Sequence, residues 1–463
     1  MNNTSGHRWL DKDAIMTALS RHSAPESQVV GDILDKSLAL EPLGLDEITA
    51  LLRVKDHADL VRIMGTADLV KQKAYGDRIV ISAPLHVDNH CASECLYCAY
   101  QAGNSQIERK RLTPAQIREA ADDLIRQGHK RVVLVSGQSA RPDMAYFAEA
   151  IEILGRVAVG QGEIRRVNID IGALEPGEYE ELKGTEAGTV NIFQETYHER
   201  SYKKAHPAGP KSDFDARLHA PGVAFECGMK DVGLGLTFGL GPADFDILAL
   251  SRHVAHLSAQ YGIGARTVNL HRCRPAPGCS YDPPHALNDE EFLRMVAITR
   301  LAIPWIGIIL TTKEPDGIWR GGCDAGASQL LTGSLANPYV TWIEGLQEKA
   351  VFPAGTPTHL DEVVRFLLEE SRHLPSFCTA CPRLGRNGEE FIAMAASGDI
   401  KTQCGPNSMA SFMEFLLNYA TPYTREMGEK LIAEKLAKMD SHERHAAERL
   451  LEKVRAGRTD EFI

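Results

Sequence analysis

Between about residue 78 and residue 331, short β-branched runs alternate with helical segments, and this alternation restricts the fold more than any other feature. Eight runs stand out, at 79–85, 132–135, 167–171, 190–193, 232–236, 267–270, 306–310 and 329–331. Tight turns cannot join parallel strands, which need a long crossover, usually a helix. The stretch from Thr113-Pro114 through Ile125 reads as such a crossover helix. Threonine caps a helix N-terminus through its hydroxyl, and proline fits the first turn, where its missing N–H has no partner to lose. Eight such units predict an α/β fold, a closed (β/α)8 TIM-type barrel.

The barrel is expected over 77–370, between two helical flanks. Residues 1–76 form an N-terminal helical extension, with Asp11 capping one helix and Leu45-Asp46-Glu47-Ile48 opening another. Residues 371–463 form a C-terminal helical domain, beginning with a Cys- and Gly-containing stretch at 375–407 and ending in a helix opened by Asp440. The formal net charge of −11 argues against a nucleic-acid partner. No apolar run reaches the ~18 residues of a membrane span, and the first residues lack the apolar core of a signal peptide. A cytoplasmic location follows as an expectation. In a reducing compartment ten cysteines do not read as a disulfide framework. Cys227, Cys273, Cys279 and Cys323 are scattered; they read as small buried hydrophobes or incidental thiols, with Cys273 the exception because of the strand-end segment it stands in.

The other six cysteines fall into two groups of three. Cys91-Ala-Ser-Glu-Cys95-Leu-Tyr-Cys98 follows the first predicted strand. Three thiolates on one short loop suit three irons of a [4Fe-4S] cluster and leave the fourth iron open. A zinc site completed by His86 or His90 is the other reading of these residues. Cys378-Thr-Ala-Cys381, then Cys404 after 22 intervening residues, makes the second group. Alone, C-x-x-C is equally a redox or zinc motif.

The first loop, with the aromatic Tyr97 before its last cysteine, resembles the signature of the radical S-adenosylmethionine (SAM) superfamily. That resemblance implies that Cys91, Cys95 and Cys98 hold a cluster and that Tyr97 packs by the adenine of SAM. The reduced cluster would cleave SAM to a 5′-deoxyadenosyl radical that takes hydrogen from the substrate. Ser-Phe-Cys378-Thr-Ala-Cys381-Pro-Arg-Leu-Gly-Arg and Cys404-Gly-Pro-Asn are similar to the C-terminal domain of the HydG family, tyrosine lyases that mature [FeFe]-hydrogenases. Phe193-Gln-Glu195-Thr-Tyr-His198, His206-Pro-Ala-Gly-Pro-Lys-Ser-Asp213 and Asp231-Val-Gly-Leu-Gly-Leu-Thr-Phe-Gly239 resemble its barrel segments. The similarity runs over roughly 80–420, whereas the related tyrosine lyase ThiH shares the barrel alone. It implies a tyrosine substrate broken at Cα–Cβ to p-cresol and dehydroglycine. Dehydroglycine would then become carbon monoxide and cyanide at a second cluster on Cys378, Cys381 and Cys404. An extra iron there is matched to His256, on a helix expected at 244–260. A flavodoxin- or ferredoxin-type electron donor and metallocofactor-maturation partners are implied as well.

The resemblance also places cofactor contacts at strand ends. Gly137 and Gln138 stand where the superfamily has a Gly-Gly-Glu-like motif, Asp170 ends the third run, and Glu195 ends the fourth. The substrate side departs from the family pattern. Its Pro-Arg-x-Arg-Pro is His271-Arg272-Cys273-Arg274-Pro275 here, its Thr-Arg-Glu is Thr312-Lys313-Glu314, and its Ser-Ala-Gly-Ser-Arg-Thr is Leu331-Thr332-Gly333-Ser334-Leu335-Ala336. Arg272 and Arg274 can grip an amino-acid carboxylate bidentately; His271 and Ser334 complete the expected substrate contacts. The changes leave two substrates open, tyrosine or another amino acid or amine. A non-catalytic zinc-binding protein is a third reading.

Overall fold

The computed structural model describes residues 9–20, 23–332, 340–342, 352–354, 359–371 and 373–463. All eight predicted runs are strands: β1 (Arg78–Asp88), β2 (Arg131–Ser136), β3 (Arg166–Asp170), β4 (Ala187–Glu195), β5 (Val232–Phe238), β6 (Thr267–Arg272), β7 (Gly307–Thr311) and β8 (Gln329–Leu331). Each pairs in parallel with the next, and β8 closes onto β1 with Val80 opposite Gln329. Crossover helices wrap the outside. The helix Pro114–Arg126 has the expected Thr113 cap as a full capping box with Gln116.

Strand β1 shows how the two faces divide. Ile79, Ile81, Ala83, Leu85 and Val87 are buried on one face, where alternation of period two directs them outward onto the helices. The lumen differs from the layers of branched apolar side chains usual in such barrels. It carries Asn168, Asn191 and Asn269: Asn269 Nδ2 donates to Asn191 Oδ1 at 3.3 Å, and Asn168 Oδ1 accepts from Thr189 N–H at 3.0 Å. Buried amides of this kind need partners, and this lattice supplies them.

The N-terminal helices, Lys12–Leu19, Ser27–Leu38, Leu45–Arg53 and His57–Tyr75, cover one flank. At the other end, the segment expected as a helical domain also contributes a strand. A ninth strand, β9 (Leu374–Ser376), adds to the start of β1 in parallel, so the C-terminal segment joins the barrel sheet. Cys404 lies inside the helix Ile400–Asn418, whose side chains from Pro406 to Leu416 are all buried. No helix among the described residues is long and apolar enough to cross a membrane.

Candidate active site

The loop Cys91–Cys98 leaves the C-terminal end of β1, the end at which barrel active sites are built. Two neighbours fix its shape. At the end of β2, Gly137 N–H donates to Asp88 O at 2.9 Å, and the Gln138 carbonyl accepts from Ala92 N–H at 2.9 Å. A Cβ on Gly137 would stand 2.3 Å from the His90 carbonyl, so only glycine permits this approach. The 205–212 segment clamps the other side. Glu94 N–H donates to Ala208 O at 2.9 Å and Leu96 N–H to Ala205 O at 3.0 Å. Gly209, at φ +86°, lies against Ala92, where a Cβ would meet the carbonyl at 2.1 Å.

Tyr97 is anchored by His206. The His206 Nδ1 lies 2.8 Å from the Tyr202 carbonyl and must donate to it, which leaves Nε2 to accept from the Tyr97 hydroxyl at 2.9 Å. Burial, with Lys211 nearby, lowers the imidazole to about 3 and keeps it neutral. Burial pushes the Cys95 thiol up to about 12 and Cys98 to about 11, so metal binding there must displace protons.

These residues open onto a cavity of about 950 Å³ that gathers the strand-end residues singled out in the sequence. Cys91, Cys95, Tyr97, Cys98, Gly137, Gln138, Asp170, Glu195, His271, Arg272 and Arg274 all line it. Glu195 ends β4 with φ +69°, beside a register shift in the pairing with β5. Non-glycine residues rarely hold this conformation unless their surroundings over-determine it. Here Lys211 pairs with one carboxylate oxygen and Thr237 donates to the other. Burial alone would raise the Glu195 carboxyl, but the Lys211 ammonium outweighs it and holds it near about 2. Because the Thr237 proton goes to Glu195, His271 Nε2 must be the donor in its 2.9 Å bond to Thr237, leaving Nδ1 as an acceptor. Gln138 is oriented by Arg217, which donates to its amide oxygen. Asp170 has its carboxyl raised to about 6 by burial. Lys211, Arg217 and Thr237 carried no role in the sequence reading; Lys211 belongs to a segment whose only signal was its resemblance.

The substrate side is arranged differently from expectation. Arg272 is buried and engaged: Nε and Nη2 reach Glu314 at 3.0 and 2.6 Å, and Nη1 reaches Leu287 O at 3.1 Å and Asp289 at 2.8 Å. Arg274, partly exposed, also bonds Glu314. Lys313 reaches the cavity from the following strand end, and burial lowers its ammonium below the ordinary lysine value. Ser334, with Gly333, Leu335 and Ala336, lies outside the described residues.

Cys378, Cys381 and Cys404 meet at the opposite, N-terminal mouth, around a smaller cavity of about 60 Å³. They arrive from three elements: the turn after β9, the short helix Ala380–Arg383 and the helix Ile400–Asn418. The hydrogen bond with Cys404, then Arg266 and Arg78, hold the Cys381 thiol below the usual range. No three described His, Cys, Asp or Glu side chains close around a single ion at either group. In a cube each thiolate binds its own iron, so sulfurs stand farther apart than around one zinc. His256 is placed elsewhere. It stacks on Trp9 with ring centroids 4.9 Å apart, beside His253, and is not in the cavity wall.

The radical SAM superfamily model matches residues 87–254, and the biotin and thiamin synthesis associated domain matches 269–386. A solved HydG, a maturase of the [FeFe]-hydrogenase, superposes with a TM-score of 0.91 at 34% identity, covering 98% of this chain and all of that one. HydG from Carboxydothermus hydrogenoformans gives 0.78 at 29% identity, covering 95% of this chain and 99% of that one. The 2-iminoacetate synthase of Escherichia coli is 27% identical over 315 residues, covering 67% of this chain and 80% of the synthase. A radical SAM enzyme of this kind uses a [4Fe-4S] cluster, SAM, a small-molecule substrate and a reductant. The cysteine loop at the barrel's C-terminal mouth, the cavity it opens onto and the full-length match to HydG show that the chain belongs to the radical SAM superfamily, in the group that contains HydG.

Proposed function

We propose that this enzyme is a carbon–carbon lyase acting on an aromatic amino acid, with tyrosine cleaved to p-cresol and dehydroglycine. The carrying observation is the cavity of about 950 Å³, whose wall brings the cysteine loop together with Lys313 and Arg274. When bound, the cluster and SAM supply a 5′-deoxyadenosyl radical. Tyr97, Gly137, Gln138, Asp170 and Glu195 are proposed to hold SAM. Gln138 and Glu195 offer acceptors, each set in direction by Arg217 or Lys211. The Lys313 ammonium and the outward donors of Arg274 face the same cavity and suit a substrate carboxylate. The name of the E. coli relative, 2-iminoacetate synthase, states a product of the dehydroglycine type. Cys378, Cys381 and Cys404 are proposed to hold a second four-iron cluster. A flavodoxin- or ferredoxin-type protein is proposed as electron donor, and metallocofactor-maturation proteins as partners.

A second reading keeps both clusters but changes the substrate to another amino acid or amine. It is favoured by the engagement of Arg272 with Glu314, which removes the expected bidentate grip. Anaerobic enzyme given tyrosine, SAM and dithionite is expected to form p-cresol together with 5′-deoxyadenosine. Deoxyadenosine without p-cresol rejects tyrosine, and an amino-acid screen for stimulated deoxyadenosine formation then identifies the alternative. If Cys95→Ala retains turnover, the whole reading fails.

A further inference from the structure

Strand pairing carries His271 to the C-terminal mouth of the barrel. It stands opposite Thr237 in the register of β5 and β6. On its other side β7 ends at Thr311 and leads on to Lys313. Alternation of period two turns His271 inward with Asn269, and both line the large cavity.

A chain of hydrogen bonds fixes the ring. Lys211 pairs with one Glu195 oxygen, Thr237 donates to the other, and His271 Nε2 donates to Thr237 at 2.9 Å. The Phe193 ring packs alongside, with centroids 5.4 Å apart. The tautomer is thereby imposed, and Nδ1 keeps its lone pair. Among the described residues nothing donates to Nδ1, and it is open to the cavity. The charged groups around the ring are Glu195 and Lys211, with Lys313 and Glu314 beyond the next strand. Burial is the largest influence and lowers the imidazole below its ordinary value, so the acceptor persists at neutral pH.

Such an acceptor repels a carboxylate and selects an N–H or O–H donor. The residues proposed to hold SAM stand at the ends of β1 to β4, whereas His271, Arg274 and Lys313 stand at the ends of β6 and β7. The donor that reaches His271 therefore belongs to the substrate. With the substrate carboxylate on Lys313 and Arg274, the donor closest to it is the amino group on the adjoining carbon. A phenolic hydroxyl lies at the far end of the side chain. Resting on the amino-acid lyase reading above, we infer that His271 Nδ1 accepts a hydrogen bond from the substrate's α-amino group, and that this contact selects α-amino acids over the corresponding acids that lack the amine.

Tyrosine and 3-(4-hydroxyphenyl)propanoate, which is tyrosine without its amine, are the probes, used with anaerobic holoenzyme and SAM. The concentration giving half-maximal deoxyadenosine formation reports tyrosine, and inhibition of that reaction reports the deamino acid. Wild type is expected to prefer tyrosine roughly tenfold or more, since one hydrogen bond to a charged group amounts to that factor. His271→Leu should weaken tyrosine by the same factor and leave the deamino acid unchanged. His271→Asn, whose amide oxygen can accept in place of Nδ1, should recover part of the preference, and it decides the matter if the leucine variant does not fold. Iron content and the SAM-perturbed resonance signal should be unchanged in both. Equal loss of both ligands, an unchanged tyrosine value, no preference in wild type, or a change confined to SAM affinity overturns the inference. If tyrosine does not stimulate wild type at all, the tyrosine assignment is what fails. The amino acid found by the screen, paired with its own deamino acid, then decides the inference by the same comparison.

Discussion

Glu195 combines three unfavourable conditions, a left-handed backbone, burial and a negative charge, and Lys211 is what makes them tolerable. Removing one partner of a buried pair leaves the other charge uncompensated, which costs about 3–5 kcal/mol. Glu195→Gln is expected to lose that amount in urea denaturation at pH 7. The sign of the pH dependence follows from the depressed carboxyl. The ion pair stabilises fully above about 4.5 and its contribution disappears as pH falls toward about 2. Wild type and Glu195→Gln should therefore converge in stability over that interval, and a gap unchanged at pH 3 would contradict the assignment. Sequence pointed to Glu195 by its place at a strand end. It could not point to Lys211, because a lysine sixteen residues on becomes a partner only through the packing of the clamp loop.

At the level of elements, the first cysteine loop is held by a clamp and not by its own hydrogen bonds alone. Gly209→Ala introduces a side chain at φ +86° and against the Ala92 carbonyl. Strain of about 1–3 kcal/mol is expected, together with reduced iron in the first cluster, read as loss of the SAM-perturbed resonance signal. Thr113→Ala provides the contrast. Loss of this N-cap should lower stability by about 1 kcal/mol and leave deoxyadenosine formation per iron unchanged, since the Thr113 hydroxyl is spent on the Gln116 N–H of its own helix and bonds nothing in the loop. Both elements were legible beforehand: the cap from Thr-Pro spacing, the clamp from its resemblance. The clamp's physical purpose was not, because a glycine's close approach shows only once two loops are in place.

Across the whole molecule, Glu414 joins the C-terminal helices to the barrel. It is buried and pairs with Arg165 at 2.8 and 3.1 Å and with Lys130 at 3.2 Å, both just ahead of barrel strands. Glu414→Gln should cost about 3–5 kcal/mol. Because Cys404 rides on the same helix, the second cluster should be lost first in thermal melts followed by iron–sulfur absorbance, with the first cluster surviving. Simultaneous loss of both would refute this division. The amino-acid sequence by itself determined the eight βα units and the two cysteine triads, since strand periodicity and short ligand spacings are local properties. Only the tertiary structure decided that the triads lie at opposite mouths and that His256 stacks on Trp9. Those facts depend on closure of the barrel, which brings together residues whose separation along the chain carries no trace of their meeting.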